Sequence, residues 1–300
     1  MKKKTYLFAL MAMVLTLGSC SDNENGIGGE TSKYITVSTS IGNMTRVATD
    51  AKGGQTFEEG DEISVYAWTG APTVAPETSE RVVNNAINKL TNGSWISTPQ
   101  MLWKNNREKH YFIGVYHTAA ISDLSAGEYT FNANKQTESD LLVAVNPDGL
   151  SYSADAQQTV PLTFTHVMAK LAVNLTYKNQ WGGIPTVEKV VVGNAAKEAT
   201  INYLTKVVTP STTAKEDFSL PEITENTKYV SVIIPQEDVK QLTIVIGGKN
   251  FVYDNGTPFK LESGKITTVN LEVGRDEIKL GDVKITNWED GSTFSGEALN

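Results

Sequence analysis

Apolar and polar positions alternate in short segments along most of this chain. Ile35, Val37, Thr39 and Ile41 share one face of a predicted strand, and only Thr and Ser residues stand between them. A period of two residues is typical of a β-strand with one buried face. Similar runs, rich in β-branched and aromatic residues, cover 63–68, 111–116, 141–145, 171–177, 187–192, 229–234, 242–246, 251–253 and 269–273. The pattern therefore predicts an all-β protein of the sandwich type.

One segment has a different spacing. Val82, Ala86 and Leu90 follow each other at intervals of four residues, as on one face of a helix. Asn84, Asn85 and Asn88 are poor helix formers, which weakens that interpretation. The segment is predicted as either a helix or a strand containing a turn.

Turn-forming residues near the middle of the chain predict a boundary between two domains. Asn146-Pro147-Asp148-Gly149 is followed by a polar run that ends at Gln158. A division there gives β-sandwich domains over residues 34–158 and 159–300, each of the usual size for such domains. A single large β-domain is the alternative.

The N-terminus has the pattern of a lipoprotein export signal. Lys2, Lys3 and Lys4 precede an apolar stretch over 6–17 that is too short to span a bilayer, and 17–20 reads Leu-Gly-Ser-Cys. Residues 1–19 are predicted to be removed and Cys20 to be lipidated, which would attach the protein to the outer membrane. An ordinary secretory signal is the alternative. Residues 20–33 are small and polar, which predicts a flexible tether whose acidic start resembles a surface-export signal.

Charge and cysteine content limit the partners. The formal net charge of −8 includes no cluster of Lys and Arg, so nucleic acid is not an expected partner. Cys20 is the only cysteine, so the fold is expected to depend on burial and hydrogen bonding without disulfides.

No catalytic constellation is recognisable in the sequence. His110, His117 and His166 are the only histidines, and none has the spacing of a metal site; Cys20 is assigned to the lipid. The acidic residues 58–62 read as a solvated turn before a strand rather than a calcium loop. Carboxylate pairs for glycoside hydrolysis need no fixed spacing and stay open. We expect no catalytic residues, no metal and no cofactor, and so no enzyme.

Several segments, in order, resemble the fimbrillin family, the type V pilin-like surface lipoproteins. They are 35–41, Thr45-Arg46, 57–67, 139–142, 160–171, 233–236, 264–271 and 285–288. The resemblance covers about residues 34–291. It implies two transthyretin-like Greek-key β-sandwich domains, the second starting near Val160. It also implies a structural or adhesive role in a surface fimbrium, with other fimbrial subunits as partners.

The resemblance also implies a route of assembly. In fimbrillin-type pilins a protease cuts after an arginine behind the first strand, and a strand of the next subunit fills the groove that is freed. The matching positions are Arg46 and Val47, and the displaceable strand would carry Ile35, Val37, Thr39 and Ile41. An ordinary surface arginine at position 46 is the alternative. Residues 292–300 make a poor donor strand, because only Phe294, Ala298 and Leu299 among them are apolar.

A second function remains open, that of a tethered surface lipoprotein that binds a glycan or a host protein and does not polymerise. Exposed tryptophans stack on sugar rings, whereas in β-sandwiches they are more often buried. The placement of the five tryptophans therefore discriminates between the two functions; they are Trp68, Trp95, Trp103, Trp181 and Trp288.

Overall fold

The computed structural model describes residues 33–42, 56–116, 119–136, 138–153, 158–254 and 256–288. These residues form nineteen strands and two single-turn 3₁₀ helices, Thr78–Glu80 and Asn179–Trp181. The all-β fold class is confirmed. The strands are β1 Thr36–Ile41, β2 Glu62–Thr69, β3 Val83–Thr91, β4 Ser94–Thr98, β5 His110–Tyr116, β6 Gly127–Thr130, β7 Leu142–Leu150, β8 Thr159–His166, β9 Ala169–Tyr177, β10 Val187–Ala196, β11 Glu198–Asn202, β12 Val207–Pro210, β13 Lys215–Ser219, β14 Glu222–Thr224, β15 Lys228–Ile233, β16 Gln241–Ile246, β17 Lys249–Asp254, β18 Lys265–Val273 and β19 Ile278–Asn287.

The strands form four sheets. A seven-stranded sheet has the order β1-β8-β7-β5-β2-β3-β4, and a five-stranded sheet has the order β14-β15-β9-β18-β19. Two smaller sheets have the orders β13-β10-β16-β17 and β12-β11-β6. Most neighbours are antiparallel, but β1 runs parallel to β8, and β18 runs parallel to β9.

The seven-stranded sheet is buried on both faces. Along β2, Val65 and Ala67 face a smaller core, while Tyr66 and Trp68 on the opposite face belong to a larger core. The larger core extends into the strands that follow β8, including Leu171 of β9. The face of the sheet that carries Tyr66 and Trp68 therefore joins the two halves of the chain. The face that carries Val65 and Ala67 encloses the smaller core.

The segment with helix-like spacing is a strand, β3, with a β-bulge. Val65 and Ala67 of β2 pair with Ala86 and Val83, so the one residue between them on β2, Tyr66, opposes two residues of β3. Asn85, at the extra position, has a φ of 55° and accepts a hydrogen bond from the Tyr66 hydroxyl (3.0 Å). A bulge returns side chains three apart to the same face, which places both Val83 and Ala86 in the smaller core. The bulge thus explains why buried side chains in this strand are spaced by three residues, as they can also be in a helix.

We expected the turn residues at 146–149 to mark a domain boundary. They form a bulge within β7 and do not end that strand. Gly149 has a φ of 64°, and its N–H donates to Asn146 Oδ1 (2.9 Å). A side chain at this position would also meet the Tyr111 ring at 2.8 Å, so the bulge requires glycine. The strand then continues, and Leu150 pairs with His110.

Strand pairing does not divide the chain between residues 158 and 159. β8, which would begin the second predicted domain, lies between β1 and β7, and β6 pairs with β11 across the same point. The two-domain, transthyretin-like division stays a prediction.

Candidate functional site

The strand β1 forms one edge of the seven-stranded sheet. Its six residues pair with β8 alone, in parallel register from Thr36 with Thr159 to Ile41 with Phe164. The predicted alternation is present: Ile35 and Val37 are buried, whereas Thr39 and Ile41 are only half-buried. The apolar face of the strand therefore becomes less covered toward its C-terminal end.

A groove separates β1 from β4, the strand at the other edge of the same sheet. This edge groove has a volume of about 640 Å³ and is lined by residues 36–41 of β1 and by Phe57, Leu90 and Trp95. One side-chain hydrogen bond crosses it, from Trp95 Nε1 to Thr39 Oγ1 (3.0 Å). The Phe57 ring packs edge-on against both Trp95 and Phe164, which closes the floor of the groove. The sheet is thus rolled, and a side-chain contact joins its two edges.

The chain just before β1 is fastened by a second element, which we call the clasp. It consists of residues 33–35 and 101–103, joined by an antiparallel bridge between Tyr34 and Leu102. Two backbone hydrogen bonds complete it, from Ile35 N–H to Met101 O (2.9 Å) and from Trp103 N–H to Lys33 O (3.2 Å). The clasp holds the start of β1 where pairing with β8 has not yet begun.

His110, at the start of β5, lies under the clasp and is fully buried. Its Nε2 accepts a hydrogen bond from the backbone N–H of Lys104 (3.0 Å), and its ring packs edge-on against Trp103 (5.0 Å between centroids). Burial lowers the pKa of His110, and the nearby Glu108 opposes that shift. Sequence spacing did not reveal this role of His110, because it carries no sign of a contact with a backbone amide.

A second cluster joins the seven-stranded sheet to the five-stranded sheet. We call Asp140, His166, Lys170 and Trp288 the junction cluster. The His166 ring stacks on the Trp288 indole with 4.2 Å between centroids, and its Nδ1 lies 2.8 Å from Asp140 Oδ1. The Lys170 ammonium lies 4.2 Å from the centre of the same indole. His166 is therefore a packing residue with a hydrogen-bond partner.

Burial lowers the pKa of Lys170 to about 8, against the favourable charge of Asp140. Trp288 donates its backbone N–H to Gly264 O (3.1 Å), which ties the end of β19 to the turn before β18. Sequence reasoning did not bring these residues together. The available signal was that each lies in a segment that carried the family resemblance.

Several predicted positions lie outside the described residues, namely Cys20, Arg46, Val47, His117 and the poor donor segment 292–300. Lipidation and cleavage therefore stay predictions. Val37, Thr39 and Ile41 lie on β1 at a sheet edge, and Ile35 directly precedes that strand; displacement of the strand stays a prediction.

None of the five tryptophans is exposed. Trp68, Trp103 and Trp288 are buried, and Trp95 and Trp181 are half-buried. The Nε1 atoms of the half-buried pair donate to Thr39 Oγ1 and to Val273 O (2.9 Å). The tryptophans therefore do not form a flat stacking platform for sugars.

Within the described ranges, no three His, Cys, Asp or Glu side chains are grouped closely enough to hold a metal ion. Gly60 (φ 95°) and Asp61 form the predicted turn into β2: Asp61 accepts hydrogen bonds from Glu58 N–H (2.7 Å) and from the Tyr116 hydroxyl (2.8 Å). Among the residues that the structure describes, no helix is long and apolar enough to cross a membrane.

Comparison with known proteins identifies the relatives of this fold. A family model described as fimbrillin-like matches residues 45–288. This chain belongs to the fimbrillin-like family. The family assignment confirms the resemblance drawn from the sequence, and the matched region includes all four residues of the junction cluster.

Solved structures of other proteins share this fold. A candidate cell adhesion protein of Bacteroides ovatus superposes with a TM-score of 0.61 at 18% identity, covering 85% of this chain and 98% of that one. One from Bacteroides uniformis gives a TM-score of 0.59 at 16% identity, covering 86% and 100%. A fimbrial protein of Bacteroides vulgatus gives 0.50 at 12% identity, covering 84% and 99%. These identities show a shared fold. No functionally curated protein matches the chain.

Proposed function

We propose that this protein is a structural or adhesive subunit of a surface fimbrium, carried to the outer membrane as a lipoprotein through Cys20. Membership of the fimbrillin-like family carries the proposal. The family supports a non-enzymatic role, a location at the cell surface, and other fimbrial subunits as partners.

Assembly by strand exchange is the finer part of the proposal, and the geometry of β1 supports it. The strand has one paired neighbour, β8, and its other edge faces the edge groove. An incoming strand would recover the main-chain hydrogen bonds with β8, and alternate apolar side chains would replace Ile35 and Val37. Cleavage after Arg46 would free β1 to leave.

The energy of this exchange is compatible with a protein that stays folded. Burial of Ile35 and Val37, with partial burial of Thr39 and Ile41, contributes on the order of 5 kcal/mol. The whole free energy of unfolding of a domain is typically about 5–15 kcal/mol. Loss of β1 without replacement therefore removes a large share of the stability, which favours refilling by another subunit.

Treatment with an arginine-specific protease tests assembly. We expect protein that starts at Val47 to form a ladder of oligomers, followed by intact mass and by size in solution. The control is Arg46→Lys, which keeps the positive charge but resists this protease. Mass separates this cut from cuts at the exposed residues Arg107 and Arg275. Folded monomers that start at Val47 would contradict assembly by exchange.

Fatty-acid labelling tests the anchor. Cys20→Ala is expected to lose both the label and its membrane fractionation, because the diacylglycerol is attached to sulfur. Cys20→Ser is a second variant without the thiol, closer in size to cysteine, and should behave in the same way. Label retained in either variant would contradict the assignment of Cys20.

One observation favours the alternative function, a tethered lipoprotein that binds a partner without polymerising. The segment 292–300 has few apolar residues with which to fill a groove. If this alternative holds, protein that has been cut at Arg46 would stay monomeric. Protein that has not been cut would keep its lipid anchor at Cys20. The buried tryptophans argue against a glycan-stacking version of this function.

A further inference from the structure

The clasp that fastens the start of β1 rests on a side chain able to change its charge near neutral pH. We propose that His110 is a pH-sensitive fastener: protonation of its imidazole opens the clasp and loosens β1. Three observations carry this inference: the direction of one hydrogen bond, the burial of the ring, and the position of the clasp on the path into β1.

The hydrogen bond fixes the protonation state. A backbone N–H can only donate, so Nε2 of His110 must be the acceptor in its 3.0 Å contact with Lys104 N. The neutral ring then carries its proton on Nδ1. Protonation would place a second N–H opposite the Lys104 N–H, and two donors cannot share a hydrogen bond. The Lys104 amide must then move away or stay unpaired.

The ring has little room to turn away from that conflict. His110 is buried between the Trp103 ring and the pairing partners of β5, which are Thr69 of β2 and Leu150 of β7. Trp103 also packs edge-on against Phe112 (5.7 Å between centroids). The strain of protonation therefore falls on the 101–104 segment, which lies outside the named strands and is joined to 33–35 by two backbone hydrogen bonds, with Met101 and Trp103 packed in the smaller core.

The charged groups around the ring are few. Lys104 and Glu108 come from the loop before β5 and form an ion pair (3.4 Å), with the lysine disfavouring and the glutamate favouring an imidazolium. The Lys104 ammonium also donates to Thr69 Oγ1 (3.1 Å). Lys109 is directed to Asp148 O on β7 (3.1 Å). Burial outweighs the glutamate, so the pKa of His110 lies below its ordinary value in the closed clasp.

The sign of the pH effect follows from that direction. Once the clasp opens, the ring regains the ordinary pKa of about 6.5 and binds a proton more readily than in the closed state. Proton uptake therefore favours the open clasp as pH falls below about 6.5, and has no effect above it. Between pH 7.5 and pH 5.5 one such group can shift the opening equilibrium by at most about tenfold, and by less the closer the pKa of the closed state lies to its ordinary value.

The clasp lies directly before the strand that the proposed function requires to leave. Met101 O and Trp103 N–H bind the backbone at Ile35 and Lys33, so release of 101–104 frees the N-terminal end of β1. The consequence for fimbrial assembly, easier strand exchange in mildly acidic surroundings, rests on the proposed function. Opening of the clasp does not depend on it.

Hydrogen exchange on the intact protein tests the fastener. Protection factors already correct for the pH dependence of the chemical step, and the Ile35 and Trp103 amides report the clasp directly. We expect their protection to fall from pH 7.5 to pH 5.5, by up to about tenfold, while amides of β18 keep theirs. Unchanged protection at Ile35 and Trp103, or an equal loss in β18, would overturn the proposal.

Two variants assign the effect to His110. His110→Gln keeps an acceptor but does not titrate, so its clasp protection should not change over this pH range. The double variant His117→Gln/His166→Gln leaves His110 as the only histidine and should keep the full effect. A pH effect that persists in the first variant or vanishes in the second would overturn the proposal. Oligomer formation after cleavage at Arg46, measured at pH 7.5, tests the proposed function separately.

Discussion

The described residues form two parallel strand pairs, β1 with β8 and β18 with β9, and β1 and β18 are secured very differently. β1 pairs through six residues with β8 alone, and only Val37 among those six is buried. β18 pairs through eight residues with β9 and through nine with β19, and Ile266, Val269 and Leu271 are among its buried residues. Strand direction therefore does not decide how firmly a strand is held.

The difference lies in the number of independent contacts that must break. Release of β1 needs the ladder to β8, the clasp, and the Trp95–Thr39 hydrogen bond to open. Release of β18 would expose the larger core and also undo the junction cluster at Trp288 and Lys170. We therefore expect β1 to open while the rest of the protein stays folded, and β18 to open only with global unfolding.

The largest effect is expected at the secured strand. Leu271→Ala leaves a cavity in the larger core and should lower the free energy of unfolding by about 2–5 kcal/mol. Urea denaturation followed by circular dichroism measures it. Ile285→Ala is the control, because Ile285 on β19 is exposed and should cost well under 1 kcal/mol. Equal losses in the two variants would contradict the difference in burial.

A smaller effect, on the pH dependence of stability, is expected from Lys170, which lies next to β18. Lys170 on β9 is registered with Ile266 of β18, and burial lowers its pKa from 10.5 to about 8. The unfolded chain then binds more protons than the folded protein between pH 8 and 10, so stability rises with pH in that window. One group contributes at most about 1.4 kcal/mol per pH unit.

Lys170→Met should reduce that slope, measured by denaturation at pH 8, 9 and 10. Some slope should remain, because burial also lowers the pKa of Lys206, and Lys206→Met is the matched comparison. Lys89→Met is the control, since Lys89 forms only an exposed ion pair with Glu62. An unchanged slope in Lys170→Met would show that this ammonium is not buried against Trp288.

The smallest effect is expected at the edge groove. Trp95→Phe keeps an aromatic ring next to Phe57 but removes the hydrogen-bond donor to Thr39. We expect the free energy needed to open β1 to fall by about 0.5–1.5 kcal/mol. The loss should appear as faster exchange of β1 amides and as an equally small decrease in the free energy of unfolding. Thr39→Val removes the acceptor, and the double variant should cost less than the sum of the singles. Strict additivity would mean that this hydrogen bond does not hold β1.

The sequence predicted the strands because alternation is a local property of the backbone. Two segments were harder to assign, and in both of them one or two extra residues interrupt that alternation. The bulge at Asn85 lies in the segment that the sequence left open between a helix and a strand with a turn, and the bulge at Gly149 lies at the start of the predicted linker. Both arise because the paired strand determines whether turn-forming residues end a strand or bend it.

The site could be predicted only in part, for a similar reason. The alternation at 35–41 was visible, but the parallel pairing with β8 joins residues more than 120 positions apart. His110 and the junction cluster depend on such distant contacts, and their residue types alone carry no signal of them. Family resemblance pointed to the segments of the cluster without showing that they meet.

Native-state hydrogen exchange at increasing denaturant tests the central claim most directly. We predict that the β1 amides that face β8, such as Ser38 and Ser40, exchange through a small opening whose free energy lies below that of global unfolding and depends little on denaturant. Amides of β18, such as Val269 and Leu271, should exchange only through global unfolding. Opening free energies and denaturant dependences that coincide for the two strands would contradict the account, because β1 could then not leave a folded protein.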